Sequence, residues 1–269
     1  MTHGSPRVLT RFDSDTSVER LREGLYSTEL LESWNIVAGP NGGYVAAIIA
    51  RAMQCEIADP TRTLRSLTVH FLARPQFTTA TISVTVERAG RSVSSVSATM
   101  MQGDKLLCTA LAAFSVPLRS AHGWTMALPD AAALSGNDER SELPPAAKNW
   151  TTDLRYDAPF FSGRGSARIA GWIRTLDPRP LDAIALVAIS DALPPAPFPR
   201  VDAPMMVPTI DLTVHIRADL PLASMSPDDS VFAEFVTNHV ADGFNDEDGF
   251  MWAPDGTLLA QSRQLAIAR

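Results

Sequence analysis

Residues Trp34–Gln54 read WNIVAGPNGGYVAAIIARAMQ, and they end in a run from Tyr44 to Met53 in which Arg51 is the only charged residue. A helix that is apolar on nearly every face must be buried, because water would otherwise cover its hydrophobic surface. The run is about ten residues, or about 15 Å as a helix, which is too short to span a bilayer. Asn41 is a residue type that caps helix N-termini. The stretch therefore predicts a central buried helix.

The residues that follow this helix alternate between apolar and polar side chains, as strands of an antiparallel sheet do. The predicted strands are Thr63–Leu72, Thr79–Arg88, Ser92–Met101 and Leu106–Val116. Gly103 and its polar neighbours predict a hairpin turn between the last two strands. We expect a short strand or edge segment within Asp15–Leu31 and a frayed terminus at residues 1–14.

The same plan returns in the second half of the chain. Residues 119–160 are rich in proline and scattered charges and are predicted to be a linker between an N-terminal unit, residues 1–118, and a C-terminal unit, residues 161–269. Leu181–Leu193 is predicted to be a second, mostly apolar helix, closed by Pro194 and Pro195. The predicted strands around it are Ser166–Arg174, Val207–Arg217, Ser230–His239, Gly243–Trp252 and Thr257–Ala268.

An internal repeat links the two halves. Three short matches occur in the same order: Ala47–Met53 with Val187–Leu193, Leu67–Phe71 with Leu212–Ile216, and Gly103–Leu107 with Asp255–Leu259. Their offsets drift from 140 to 145 to 152 residues, as small loop insertions would cause. The sequence therefore predicts two copies of one α+β unit, in each of which an antiparallel sheet wraps a helix.

Composition excludes several classes of protein. The net charge of −7 and the pI of about 5.2 argue against nucleic acid as the main partner. Cys55 and Cys108 lie in or beside apolar runs and are predicted to be small core residues, and without a CxxC motif a zinc site or disulfide scaffold is disfavoured. We see no secretory signal after Met1 and no membrane span, so we expect a cytoplasmic protein without a membrane partner.

The arrangement resembles the double hotdog fold of the acyl-CoA thioesterases of the thioesterase II group. The resemblance extends from about Gly24 to Arg269. The residues that carry it are Gly42–Val45, Leu67–Pro75, Thr209–Asp211 and Trp252–Gln264. The resemblance implies hydrolysis of an acyl-CoA thioester by an activated water, with no metal or other cofactor. It also implies a homodimer or a higher homo-oligomer.

The resemblance implies three catalytic residues. In that family an Asp of the second helix, a Thr or Ser of the next strand and a Gln of the last strand hold the hydrolytic water, and Asp191, Thr209 and Gln264 match these positions. The repeat puts Arg51 at the position of Asp191 and Ala112 at that of Gln264, so one site per chain is expected. The alternative for Asp191 is a structural role, as a cap of its own helix end or in a pair with an arginine.

Two glycines and three histidines are further candidate residues. Gly42 and Gly43 could donate helix N-terminal amides to an oxyanion, or they could serve the close packing of the helix on its surroundings. His70 and His215 occupy the same place in both repeats, which favours a shared packing or hydrogen-bonding role. His239 is expected at a surface turn.

Charged residues give two weaker predictions. Asp246–Asp248 is predicted to be a solvated turn rather than a cation-binding loop, because it lacks the ordered ligand spacing of an EF-hand. Coenzyme A phosphates are expected to meet surface arginines from the set Arg62, Arg65, Arg88 and Arg91.

Two rival functions share the predicted fold. One is a non-catalytic protein that binds acyl-CoA or an acyl carrier. The other is an enoyl-CoA hydratase, which is less favoured because the chain has no Asp-x-x-x-x-His motif at a helix start. The chain also has no Gly-x-Ser-x-Gly elbow and no Walker loop, so serine hydrolysis and nucleotide hydrolysis have no visible carrier.

Overall fold

The computed structural model describes residues 9–37, 39–130 and 144–269. Residues 1–8, which belong to the segment predicted to be frayed, lie outside the described residues. The prediction is wrong for the rest of that segment, because Arg11–Asp15 forms a helix. The Thr10 side chain caps this helix by accepting from the Asp13 N–H, and Phe12 is buried against the core.

Three α-helices and thirteen strands form within the described ranges. The helices are α1 (Arg11–Asp15), α2 (Gly42–Ile57) and α3 (Ala183–Ile189). The strands of the first half are β1 (Glu19–Arg22), β2 (Leu25–Glu29), β3 (Thr63–Phe71), β4 (Thr79–Ala89), β5 (Val93–Gln102) and β6 (Lys105–Ser115). Those of the second half are β7 (Trp150–Arg155), β8 (Arg168–Thr175), β9 (Thr209–Ile216), β10 (Val231–Val236), β11 (Val240–Ala241), β12 (Phe244–Trp252) and β13 (Leu258–Ile267). The long strands lie within a few residues of their predicted bounds, whereas β7 forms inside the predicted linker.

All strands belong to one antiparallel sheet with an internal symmetry. The order is β1-β2-β4-β5-β6-β3-β9-β13-β12-β10-β8-β7, with β11 beside β12, so the two halves meet at the β3–β9 pair. Thr68 pairs with Thr213 there, and their hydroxyl oxygens are 3.0 Å apart. Because the repeat offset in this region is 145 residues, Thr68 and Thr213 are equivalent, and a pseudo-twofold axis passes between them. The predicted duplication of an α+β unit is confirmed.

The helix that organises the first half is longer than its apolar run. The Asn41 side chain caps α2 by accepting from the Tyr44 N–H at 2.9 Å, as predicted. The helix continues past Met53 through three polar or small residues to Ile57. This last turn reaches the surface, so Cys55 is exposed and the prediction of a core position is wrong for it, whereas Cys108 is buried.

The second helix is shorter than predicted. Asp182 caps α3 by accepting from the Ala185 N–H at 2.8 Å, and the chain leaves the helix after Ile189. Every residue of α3 from Ile184 to Ile189 is buried. None of the described helices is both long and apolar enough to cross a membrane.

The two helices approach each other closely at Gly43. A Cβ atom at this position would lie 2.6 Å from the Ala188 carbonyl oxygen and 2.9 Å from the Cβ of Asp191. Both contacts are shorter than van der Waals packing allows, so only glycine lets the N-terminus of α2 meet the C-terminus of α3. This approach fixes the position of the two helices relative to each other.

An ion-pair network ties the N-terminal segment to both helices. Arg51 of α2 is 3.2 Å from Asp13, and Arg179 is 3.0 Å from Asp13 and 2.6 Å from Asp182. The Arg51 guanidinium also donates to the Thr16 hydroxyl at 2.8 Å. The network joins residues that are more than 160 positions apart in the chain.

Gly43→Ala should lower the free energy of unfolding by about 1–3 kcal/mol, because the added methyl group overpacks the contact between α2 and α3. Urea denaturation measures the change. Gly123→Ala is the matched control, since a Cβ there meets nothing within 4 Å. Equal stability of the Gly43 variant and the wild type would contradict the proposed steric role.

Asp13→Asn should lower the free energy of unfolding at pH 7 by about 3 kcal/mol, because it leaves two largely buried guanidinium groups without their shared carboxylate. Burial raises the pKa of Asp13, but the Thr10 hydrogen bond and the charges of Arg179 and Arg51 outweigh it and lower the pKa below its usual 3.8. The carboxylate therefore stabilises the fold above pH 3.8, and its contribution is lost as the pH falls through the lowered pKa.

The difference in the free energy of unfolding between Asp13→Asn and the wild type should accordingly become smaller in acid. Urea denaturation at several pH values from 7 down to 3 would detect this change. Asp104→Asn, at an exposed hairpin turn, is the control. A difference that is the same at every pH would rule out a charge effect at Asp13.

Candidate active site

Asp191 lies where the ends of the two helices meet. It follows the last residue of α3 by two positions and is partly buried. Its Oδ2 atom accepts from the Gly43 N–H at 2.9 Å and from Asn41 Nδ2 at 3.0 Å. Asn41 Nδ2 also donates to the Asp191 carbonyl oxygen at 2.6 Å. The carboxylate thus sits at the positive N-terminus of α2 rather than capping its own helix.

Gln264 and Thr209 reach the other side of the same carboxylate. Gln264 of β13 is buried, and its Nε2 donates to Asp191 Oδ1 and to the Ser190 carbonyl oxygen, both at 3.2 Å. Thr209, the first residue of β9, donates its hydroxyl proton to Gln264 Oε1 at 2.9 Å. The structure therefore brings all three predicted catalytic residues into one hydrogen-bonded chain, Thr209–Gln264–Asp191.

The surroundings of Asp191 favour a carboxyl group of increased basicity. Burial raises its pKa, while hydrogen bonds from Gly43, Gln264, Gly42 and Asn41 lower it, and burial prevails. The pKa of Asp191 is therefore higher than the usual 3.8 of an aspartate. A carboxylate with a raised pKa is a better proton acceptor at neutral pH than an exposed aspartate.

The two glycines at the start of α2 hydrogen-bond to the Asp191 carboxylate in this structure. The Gly43 N–H is bonded to the carboxylate, and the Gly42 N–H also lowers the Asp191 pKa by hydrogen bonding. A Cβ atom at Gly42 would lie 2.9 Å from Asp191 Oδ2. The oxyanion role would require these N–H groups to exchange the carboxylate for the substrate, and it stays a prediction.

The described residues of the first half contain no equivalent set. Its β3–β6 pair aligns Leu67 with Ala112, as the β9–β13 pair aligns Leu212 with Gln264. The register therefore makes Ala112 the structural counterpart of Gln264, as the repeat predicts. Arg51 lies at the position matched to Asp191, and its guanidinium group donates hydrogen bonds to Asp13 and Thr16 of the N-terminal segment.

Two residues near the site were not predicted to belong to it. Asn41 was predicted only as a helix cap, and its contact with Asp191 spans 150 residues of sequence. Glu247 belongs to the acidic group that was predicted to be a solvated turn, which is wrong because the whole group lies in β12. Glu247 pairs across the sheet with Gln264, and its Oε2 accepts from the Ala196 N–H at 2.8 Å.

The side chains of Asp246 and Asp248, on either side of Glu247, lie on the opposite face of the sheet. Asp246 and Asp248 lie 3.2 Å and 3.3 Å from the exposed Arg263 guanidinium. Alternation along the strand puts these two carboxylates on the outer face of the sheet and Glu247 on the face that carries the helices. Among the described residues no group of three or more His, Cys, Asp or Glu side chains is arranged to hold a metal ion.

The segment that follows Asp191 is held by aromatic and backbone contacts. Phe198 packs against Phe161 with ring centroids 4.8 Å apart, and against Phe160 at 5.7 Å. The Phe161 N–H donates to the Phe198 carbonyl oxygen at 2.7 Å, and the Gly163 N–H donates to that of Val201 at 2.9 Å. These contacts and the Ala196–Glu247 bond fix the chain that leaves the site.

The remaining predicted candidates lie elsewhere. His70 and His215 are exposed on the outer face of β3 and β9, and His239 is exposed in the loop before β11, as predicted for a surface residue. Arg62 donates to Asp59 and to the Gly90 carbonyl oxygen. Arg65 pairs with Asp219 across the two halves. Their guanidinium groups are thus engaged within the chain, and contacts of Arg88 and Arg91 with coenzyme A stay predictions.

Comparisons with known proteins agree with this architecture. A conserved protein of unknown function with a hot dog fold from Alicyclobacillus acidocaldarius is 24% identical, with a TM-score of 0.83 over 97% of this chain and 99% of that one. A putative thioesterase II from Thermobifida fusca is 26% identical, with a TM-score of 0.78 over 97% and 98%. The acyl-CoA thioesterase II TesB2 from Mycobacterium marinum is 20% identical, with a TM-score of 0.74 over 97% of each chain. The predicted double hotdog fold is confirmed.

Family models match both halves of the chain. Residues 30–115 match the model described as the acyl-CoA thioesterase N-terminal domain, and residues 127–268 match that of the C-terminal domain. No curated protein sequence matches the chain. The candidate site combines residues from both matched regions, since Asn41 and Gly43 come from the first and Asp191 and Gln264 from the second. The chain is a member of the acyl-CoA thioesterase family, with both of the family's domains in one polypeptide.

Proposed function

We propose that this chain hydrolyses an acyl-CoA thioester to a free acid and coenzyme A. The observation that carries the proposal is the hydrogen-bonded chain Thr209–Gln264–Asp191, which ends in a carboxylate of raised pKa. The counterparts of Asp191 and Gln264 in the first half are Arg51 and Ala112, neither of which can accept a proton from water. The proposed enzyme therefore has one site per chain.

The hydrogen bonds within the site leave acceptor positions that one water molecule could use. A carboxylate offers about four lone-pair sites. Asn41 and Gly43 donate to Asp191 Oδ2, Gly42 lies against the same oxygen, and Gln264 donates to Oδ1. One acceptor site remains on Oδ1, on the side of Gln264. The Thr209 hydroxyl donates its proton to Gln264, so its oxygen can still accept.

A water in this place would donate one proton to Asp191 Oδ1 and the other to Thr209 Oγ1. Both of its protons would then be held, and its two lone pairs would remain free, one of them to attack the thioester carbonyl carbon. As the water oxygen attacks, Asp191 takes up the first proton. Gln264 orients both acceptors without taking part in proton transfer, because its two N–H groups are already donated.

Asp191→Asn and Gln264→Ala should each lower kcat/KM for acyl-CoA by about 10²–10⁴-fold, because the first removes the base and the second removes the group that orients the water. Release of the free thiol from acyl-CoA substrates of several chain lengths measures the change. Gln261→Ala is the control, since Gln261 lies on the same strand and its side chain instead bonds Arg217. Near-normal turnover by both site variants would overturn the assignment.

The same assay separates the proposed enzyme from a binding protein of the same fold. A protein that only binds acyl-CoA or an acyl carrier would release no thiol from any substrate at any chain length. The oligomeric state, expected to be a homodimer or higher, stays a prediction that size-exclusion chromatography with light scattering would test.

The pH dependence of kcat/KM should show an acidic limb set by Asp191. The base must be ionised to accept a proton, so activity should fall as the pH drops through the Asp191 pKa, which burial raises above 3.8. The midpoint of the limb should accordingly lie above that of an exposed aspartate. Full activity down to pH 4 would contradict the role of Asp191 as the base.

A further inference from the structure

The duplication provides an internal comparison for Glu247. On the face that carries the helices, one row of aligned residues crosses three strands in each half. In the first half this row is Val96–Ala112–Leu67, and in the second half it is Glu247–Gln264–Leu212. The half without a candidate site has an apolar row, whereas the half with the site has two polar residues, of which only Gln264 has a role so far.

Local contacts hold the Glu247 carboxyl group beside the site. Its Oε2 accepts from the Ala196 N–H, five residues after Asp191, and its strand neighbour Gln264 donates to Asp191. The residues two and four positions further along β12, Gly249 and Met251, are buried, which marks this face of the strand as the inner one. A carboxyl group here has no need to stabilise the sheet, since valine fills the same place in the first half.

The electrostatic surroundings of Glu247 favour a protonated carboxyl group. Burial raises the pKa of Glu247 to about 8, and the negative charges of Asp191 and Asp246 add to the effect, while the Ala196 N–H opposes it. The strand β13 faces Glu247 with the uncharged Gln264. Glu247 is therefore mostly protonated at pH 7, and a protonated carboxyl group beside a carboxylate is the usual arrangement of a general acid with a general base.

We propose that Glu247 is the general acid of this site and delivers a proton to the departing sulfur atom of coenzyme A. The assignment rests on the proposed thioester hydrolysis. It makes Glu247 a catalytic residue that contacts the leaving group, whereas its bond to Ala196 only positions it.

The proton and electron balance closes over one turnover. The water oxygen forms a bond to the carbonyl carbon, and Asp191 takes one water proton. The carbon–sulfur bond then breaks, its electron pair stays on sulfur, and sulfur takes the proton of Glu247. The second water proton remains on the acid product, and transfer of a proton from Asp191 to Glu247 through solvent restores the starting state. No oxidant, reductant or further reactant is needed.

Glu247→Gln tests the assignment when two leaving groups are compared. Glutamine keeps an oxygen that accepts from Ala196 but has no acidic proton. The substrates are an acyl-CoA and the thioester of the same acyl group with 4-nitrothiophenol, whose thiolate leaves without a proton. The variant should lower kcat/KM for the acyl-CoA by about 10²-fold and leave that for the aromatic thioester nearly unchanged. Asp248→Asn, on the same strand but on the outer face, should change neither.

Equal losses on both substrates would show that Glu247 is structural and would overturn the assignment, as would no loss on either. If the wild-type protein hydrolyses no acyl-CoA, the proposed function fails and the assignment fails with it. Wild-type turnover combined with equal losses overturns the role of Glu247 alone.

The wild-type pH profile gives a second test that needs no variant. Because Glu247 must be protonated to donate, kcat/KM for acyl-CoA should fall above about pH 8, the pKa of its carboxyl group. The aromatic thioester should show no such fall, and Glu247→Gln should lose it for acyl-CoA. An alkaline fall of the same size for both substrates would overturn the assignment.

Discussion

The structure depends on the contact between the N-terminus of α2 and the C-terminus of α3. Gly43 allows this contact because any side chain there would overlap the Ala188 carbonyl oxygen. The contact leaves the first amides of α2 next to the end of α3, where they need an acceptor, and Asp191 supplies its carboxylate. One interaction therefore joins the two halves of the chain, satisfies a helix terminus and orients the proposed base.

The two halves share a fold but use equivalent positions differently. Arg51 lies at the position matched to Asp191, and its guanidinium group binds Asp13 and Thr16 of the N-terminal segment. That segment thus covers the region where a second site would lie, and Ala112 takes the place of Gln264. The first copy contributes Asn41 and Gly43, which hydrogen-bond to the Asp191 carboxylate of the second.

The polar side chains of the second half concentrate where the sheet approaches Asp191. Glu247, Gln264 and Thr209 come from β12, β13 and β9, which are consecutive in the sheet, and they lie on the face that carries the helices. Burial makes the protonation states of Glu247 and Asp191 depend on one another, because a second negative charge near Asp191 is poorly solvated. The low polarity that stabilises the core also raises the pKa values of both carboxyl groups.

The sequence by itself determined the buried helix α2, the long strands and the duplication, because hydrophobic periodicity and repeated motifs are local properties of the chain. The resemblance to a known family also predicted Asp191, Thr209 and Gln264 as catalytic residues. Only the tertiary structure decided that Asn41 and Gly43 hold the Asp191 carboxylate and that Glu247 lies next to Gln264. These contacts join residues that are distant in sequence. Strand register decides on which face Glu247 lies, and its acidic neighbours Asp246 and Asp248 hide that alternation in the sequence.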